Sequence, residues 1–220
     1  NIADRGELRQ TIYDDLHSEK DDQSFPMKPQ RILCDVRDVM GPDDILLSDV
    51  GAHKMWISRY YQCDTPNTCL ISNGFCTMGF ALPGAMGAKI AHPDRKIMAI
   101  CGDAGFLMNV QDIETAVRYG INFVCIVWAD EEYGLIKWKQ QAAFDGDHSE
   151  LAFTNPDFEM LAKSFGAWGK NISSPDELSA AIEEGCIVNR VGTIGNDYVE
   201  WMCKRLPTDP CSCQPGFVGS

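Results

Sequence analysis

Lys96-Ile97-Met98-Ala99-Ile100-Cys101-Gly102-Asp103-Ala104-Gly105-Phe106 decides the fold. The run from Lys96 to Cys101 is short and apolar at consecutive positions, the pattern of a strand in a parallel sheet covered on both faces. Gly102, Ala104 and Gly105 then make a tight turn of small residues, and a helix is predicted from about Gly105 onward. A strand, a small-residue turn and a helix start form an anion site, because backbone N–H groups point outward and the helix dipole adds positive potential. Asp103 in that turn is out of place for an anion alone. It fits if the anion arrives with a divalent cation. Taken by itself, the stretch is also compatible with an ordinary strand-to-helix turn carrying an exposed aspartate.

Three more apolar runs of the same kind flank it: Ile45–Ser48, Thr68–Ser72 and Phe123–Trp128. Helical stretches lie among and beyond them. Residues 30–40 place Ile32, Leu33, Val36 and Val39 on one face, and Gly41-Pro42 stops the helix. Asn109–Tyr119 turns Ile113, Ala116 and Val117 inward and ends at Gly120. Asn155-Pro156 starts a helix that ends at Gly166. Ser174-Pro175-Asp176-Glu177 is a capping box with proline at the first helical position, and Gly185 is the expected stop. Such alternation predicts an α/β fold, a doubly wound and mostly parallel sheet flanked by helices. In front, residues 4–19 space Leu8, Ile12 and Leu16 as an amphipathic helix, and Asp21–Pro29 is a polar linker. The expected organisation is a linker helix and linker over 1–29, a ligand-binding domain over 30–200 and an irregular tail over 201–220. A sheet of this type calls for one more apolar strand after Gly185. Cys186–Gly195 offers only Ile187, Val188 and Val191 among polar residues, and residues 207–220, rich in Pro, Gly and Cys, read as irregular.

The second motif is Asp130-Glu131-Glu132-Tyr133-Gly134, directly after the run Phe123–Trp128. In a doubly wound sheet both turns lie at the carboxyl ends of neighbouring strands, where ligands bind. Asp103 and Asp130 would then face one cleft. Two carboxylates with diphosphate oxygens and water suit Mg²⁺, which prefers a few protein oxygens together with ligand phosphates.

Composition narrows the partners. A net charge of −13 and a pI near 4.6 disfavour nucleic acid and anionic membrane surfaces. With 45% hydrophobic residues the chain can bury a real core. No run is long and apolar enough to span a membrane, and no signal peptide is legible. The 10 cysteines lie mostly in apolar stretches such as Met98–Cys101 and Phe123–Ile126, which points to a reducing, cytoplasmic compartment. Cys211-Ser212-Cys213 lacks a second pair at zinc-site spacing.

Together, the Gly102-Asp103-Ala104 turn and the downstream Asp130 resemble the signature of thiamine-diphosphate enzymes. The stretches Ser48–Trp56 and Ile71–Pro83 are similar to those of the acetolactate synthase family, in its C-terminal, diphosphate-binding domain. The resemblance implies that Asp103, Asp130 and the backbone carbonyl of Glu132 ligate Mg²⁺, and that Gly102, Ala104 and Gly105 line the diphosphate site. It places Ala52 and His53 at the diphosphate end, and it has Met78 wedge under the cofactor to force its bent shape. The carbonyl of Cys76 would accept a hydrogen bond from the aminopyrimidine, and Gly134 and Leu135 would open a segment that caps the site. Two positions depart from the pattern. Ala104 replaces a glycine and Ala129 replaces an asparagine, but neither change removes a metal ligand.

The same resemblance implies thiamine diphosphate and Mg²⁺ as cofactors, with FAD use undecided, and a 2-oxo acid such as pyruvate as substrate. The implied reaction is decarboxylation of pyruvate followed by carboligation to a second 2-oxo acid. No catalytic residue is expected on this chain, because the glutamate that activates the pyrimidine belongs to an N-terminal pyrimidine-binding domain of a partner subunit in a homo-oligomer. Another thiamine-diphosphate enzyme, such as a pyruvate oxidase or an oxo-acid decarboxylase, or a non-catalytic cofactor-binding fragment, stays open at this point.

Overall fold

The computed structural model describes residues 2–187 and 192–197, with side chains from 5 to 186. Element order is α1 (Ile2–Leu16), α2 (Pro29–Val39), β1 (Ile45–Ser48), α3 (Ala52–Tyr60), β2 (Cys69–Ile71), α4 (Ala81–Ala91), β3 (Ile97–Gly102), α5 (Asp103–Met108), α6 (Asp112–Tyr119), β4 (Val124–Ala129), α7 (Gly134–Ala143), α8 (Phe158–Ser164), β5 (Trp168–Ile172), α9 (Asp176–Ile187) and β6 (Gly192–Asp197). The strands form one sheet in the order β2-β1-β3-β4-β6-β5, and every pairing is parallel.

The apolar runs of β1, β3 and β4 are buried on both faces, while β2, at the sheet edge, is half-buried, and successive side chains feed opposite cores. On β3, Met98 and Ile100 enter one cluster while Ile97, Ala99 and Cys101 enter the other. On β4, Val124, Ile126 and Trp128 alternate with Cys125, Val127 and Ala129 in the same way. The first cluster is closed by α2, α3 and α9 through Ile32, Leu33, Val36, Ile57, Leu178 and Ile182. The second is closed by α4, α5, α6 and α8 through Leu82, Ala85, Phe106, Ile113, Phe158 and Ala162. Helices on both faces of a parallel sheet make the fold doubly wound, as the alternation predicted.

From β1 the chain crosses to β2 on one side, and from β3 it crosses to β4 on the other. The strand order therefore reverses between β1 and β3, and a crevice opens beyond their carboxyl ends.

Several elements differ from the sequence expectation. The strand Cys186–Gly195 failed to supply is β6, and it lies inside the sheet, paired with β4 and with β5. Its composition, Gly-Thr-Ile-Gly-Asn-Asp, carries no apolar signal; its position is set by backbone pairing on both sides. The predicted helix Asn109–Tyr119 is α6, shorter at its start, and a separate turn of helix, α5, begins at Asp103 itself. The helix expected from Asn155 begins at Phe158, where Asp157 caps it by accepting from Met160 N–H at 3.0 Å. Gly185 does not end α9, which continues to Ile187. In α1, Leu8 is 62% and Ile12 44% exposed, and of the amphipathic stripe only Leu16 is half-buried. The irregular tail expected over 201–220 lies outside the described residues, as does the Cys211–Cys213 pair.

Candidate functional site

A cleft open to solvent lies at the strand-order reversal. Its walls come from the residues after β1 (Gly51, Ala52, His53), the turn after β3 (Gly102 to Gly105), the segment after β4 (Asp130, Glu132, Gly134, Leu135) and Met78. Those are the residues singled out from the sequence, apart from Cys76. The thiol of Cys76 is exposed and lies 3.4 Å from the Lys54 ammonium, and the residue takes a φ of 50° outside the cleft wall.

Asp103 is 2% exposed and is the organising group. Its Oδ2 accepts three hydrogen bonds: from Asp130 N–H at 3.1 Å, Glu131 N–H at 2.7 Å and the Asn155 side-chain amide at 2.8 Å. Among the described residues its Oδ1 accepts only from Ala104 N–H, at 2.8 Å. One carboxylate oxygen is thus consumed in holding the loop after β4, while the other keeps lone-pair capacity. Glu131 takes a φ of 56°, a left-handed conformation uncommon for a non-glycine residue, and the hydrogen bond to Asp103 holds it there.

Asp130 faces the same space. Burial, the neighbouring Asp103 and Glu132 push its carboxyl up to about 7, against a backbone hydrogen bond that pulls it down. Each of two carboxylates sharing one cleft disfavours the ionised form of the other, and a cation between them would relieve this. The Glu132 side chain turns instead to Lys137, whose ammonium donates to both carboxylate oxygens at 2.8 Å. Its backbone carbonyl accepts from Gly134 N–H at 3.0 Å and keeps a second lone pair. A Cβ at Gly134 would come 3.0 Å from Asp130 Oδ2, so the residue is glycine for want of space.

Among the described residues no three His, Cys, Asp or Glu side chains gather as a metal cluster. Two carboxylates and a carbonyl are nevertheless a fitting donor set for Mg²⁺ that also takes oxygens from a phosphorylated ligand.

His53 forms part of the cleft wall and is 3% exposed. Burial lowers its pKa to about 4, so the imidazole is neutral at pH 7. The ring is held by the Asp49 backbone, and Nε2 has no hydrogen-bond partner. A buried ring nitrogen left open at a cleft is a ready contact for a polar ligand. The ring stacks near Trp128, with centroids 6.5 Å apart, and Trp128 packs on Trp56 at 5.2 Å. Both tryptophans line the cleft.

Two supporting residues escaped the sequence reading. Asp49 is fully buried; its carboxylate accepts from Val50 N–H at 2.6 Å, Gly79 N–H at 3.0 Å and Ala81 N–H at 3.3 Å. Burial raises its pKa, and these N–H donors oppose the rise. The Asn109 amide donates to the Gly79 carbonyl at 2.7 Å, so the loop that carries Met78 is pinned from two sides. Asn155 is the other, reaching Asp103 from beyond α7. Asp49 lay within the stretch Ser48–Trp56 that carried the resemblance but was given no role of its own; Asn155 gave no clue beyond a helix-start signal.

This constellation, two carboxylates and a small-residue turn at the carboxyl ends of adjacent parallel strands, is suited to a phosphate-bearing ligand with a divalent cation. The family of the thiamine pyrophosphate enzyme, C-terminal TPP binding domain, matches residues 49–194, and the chain belongs to it. The acetolactate synthase of Bacillus subtilis (strain 168) is 35% identical over 92% of this chain and 36% of its own length. The acetolactate synthase large subunit of Haemophilus influenzae is 36% identical over 76% of this chain and 29% of its own. The chain thus spans about a third of the length of these relatives. A thiamine diphosphate-dependent 4-hydroxybenzoylformate decarboxylase from Rhodococcus jostii RHA1 shares the fold, with a TM-score of 0.73 at 20% identity, over 79% of this chain and 33% of its own.

Proposed function

We propose that this chain supplies the diphosphate- and metal-holding half of the active site of a 2-oxo acid decarboxylating carboligase of the acetolactate synthase type. One observation carries this: Asp103 and Asp130, from the ends of adjacent strands, line one cleft together with Glu132, beside the small-residue turn Gly102 to Gly105. Mg²⁺ would be held by Asp103, Asp130 and the Glu132 carbonyl, and would supply positive charge to offset that of the diphosphate. Gly102, Ala104 and Gly105 would lie against the phosphates, with Ala52 and His53 opposite. Met78, on its pinned loop, would support the bend of the cofactor, with the Cys76 carbonyl near the pyrimidine and Gly134 and Leu135 at the cap.

Thiamine diphosphate supplies a thiazolium carbon that adds to the carbonyl of a 2-oxo acid and holds the electron pair released with CO₂. This chain's own residues bind, orient and shield. The Trp56–Trp128 wall excludes water from one side of the cleft. The substrate class is a 2-oxo acid such as pyruvate, and the partner is a pyrimidine-binding domain from another subunit of a homo-oligomer. No helix is long and apolar enough to cross a membrane among the described residues, and every described cysteine is a free thiol. Both facts support a cytoplasmic setting.

Titration calorimetry of thiamine diphosphate into the chain, with and without Mg²⁺, tests the cofactor assignment. Binding that is equally tight in the presence of a chelator rules out the metal set. Acetolactate formation from pyruvate, measured once the chain is joined to a pyrimidine-binding domain, tests the reaction.

A further inference from the structure

We propose that Asn155 is a positioning residue that fixes the metal-facing orientation of Asp103; the inference rests on the cofactor reading above. Asn155 lies 52 positions beyond Asp103, past α7, and donates from its side-chain amide to Asp103 Oδ2 at 2.8 Å. With the N–H groups of Asp130 and Glu131, this gives Oδ2 three donors, as many as one carboxylate oxygen can usefully accept. Oδ1 has one. A cation seeks the oxygen whose lone pairs are free, and Asn155 joins the two backbone donors in committing Oδ2 to the protein and leaving Oδ1 to be offered.

The path that brings Asn155 there is built for the purpose. Residues 151–155 run back across the loop after β4 and pair with it antiparallel at Glu132 and Ala152. Tyr133 N–H donates to the Leu151 carbonyl at 3.1 Å, and Phe153 N–H to the Glu131 carbonyl at 2.9 Å. Tyr133 and Phe153 pack ring on ring, 5.2 Å between centroids. The strap therefore holds the backbone that offers Asp130 and Glu132, and its last residue holds Asp103. The amide's other end, Oδ1, is buried with no partner. An unpaired buried carbonyl is costly, and it is tolerated here while the amide nitrogen is committed to Asp103.

Outer-shell partners of metal ligands typically change metal affinity 10–100-fold when removed. Asn155 is half-buried on a loop, so Asn155→Ala and Asn155→Ser should fold. The test is Mn²⁺ binding by electron paramagnetic resonance, on this chain with saturating thiamine diphosphate, alongside the melting temperature of the ligand-free protein. Both variants are expected to bind Mn²⁺ about 10–100-fold more weakly, with an altered zero-field splitting and a nearly unchanged ligand-free melting temperature. Mn²⁺ affinity within about twofold of wild type, a difference near the noise of the context dependence such contacts show, overturns the inference alone. Affinity lost only in proportion to a large drop in ligand-free melting temperature also overturns it, by showing a structural role. A wild-type chain that binds no Mn²⁺ removes the cofactor reading and this inference with it.

Discussion

Glu131 N–H donates to Asp103 Oδ2 at 2.7 Å, and this bond joins the turn after β3 to the loop after β4. The two acidic motifs are one unit: Asp103 shapes the backbone that presents Asp130 and Glu132. Substituting Asp103→Asn keeps the shape, but it removes a charge facing the cation and turns an amide into a ring of N–H donors. Metal-dependent binding of thiamine diphosphate should fall far more than for Glu131→Gln, whose side chain is outside the donor set. Calorimetry on the two variants decides; equal losses would count against Asp103 as a ligand.

Mg²⁺ and thiamine diphosphate should raise the melting temperature together and hardly at all apart. In the proposed site each would complete the other's binding, and a cation would offset the Asp103 and Glu132 charges that bear on Asp130. With Mg²⁺ held saturating, thiamine diphosphate at 100 times its dissociation constant should add about 2.7 kcal/mol. Thermal melts with each ligand alone, both, and both with chelator provide the check.

Legibility of these features in the sequence follows what each one depends on. Strands β1, β3 and β4 were readable because burial on both faces demands continuous apolar runs, and their alternating side chains fill two cores. Asp103 and Asp130 were readable because each follows such a run immediately. β6 was not, since a strand paired on both sides draws its stability from neighbours and can be spelled Gly-Thr-Ile-Gly-Asn-Asp. Asn155 was hidden for a different reason. Its contact spans 52 positions and depends on a strap whose pairing no local pattern announces.

Packing around Asp49 yields a contrast between two glycines. A Cβ at Gly105 would lie 3.2 Å from the Asp49 carboxylate, which three backbone N–H groups hold in place and which cannot yield cheaply. Gly105→Ala should lower stability by about 1–3 kcal/mol. Gly87, exposed on α4, has nothing within 4 Å of its would-be Cβ. Gly87→Ala should raise stability by about 0.8–1 kcal/mol through helix propensity. Denaturant melts of both variants check the signs, and a stabilising Gly105→Ala would mean that Asp49 is free to move.

His53 makes stability depend on pH. Its pKa is lowered from 6.5 to about 4 by burial, so the folded protein holds it neutral while the unfolded chain protonates it. The stabilisation is complete above about 6.5 and is lost as pH falls through about 4. Across that window the contribution is on the order of 3 kcal/mol. His53→Gln, which cannot titrate, should show a flatter stability profile between pH 6.5 and 4. Identical slopes for the two proteins would place the imidazole in solvent.

The chain alone should bind thiamine diphosphate and yet form no acetolactate. Activation of the cofactor needs a carboxyl group at the pyrimidine ring, so that the amino group there can serve as a base; positioned acid–base contacts of this kind typically contribute 10²–10⁴-fold. Three acids line the cleft: Asp103, Asp130 and Glu132. The first is saturated on one oxygen by three donors, the second pairs with it across the proposed cation, and the third is held by Lys137. None is left to serve a pyrimidine, and the cleft is open to water that would quench the chemistry. With pyruvate, Mg²⁺ and cofactor present, product assays should therefore stay at background. Adding a pyrimidine-binding domain of the same family should raise them. Sustained turnover by the purified chain alone would show that the acid sits on this domain after all, and that the cleft is a complete active site.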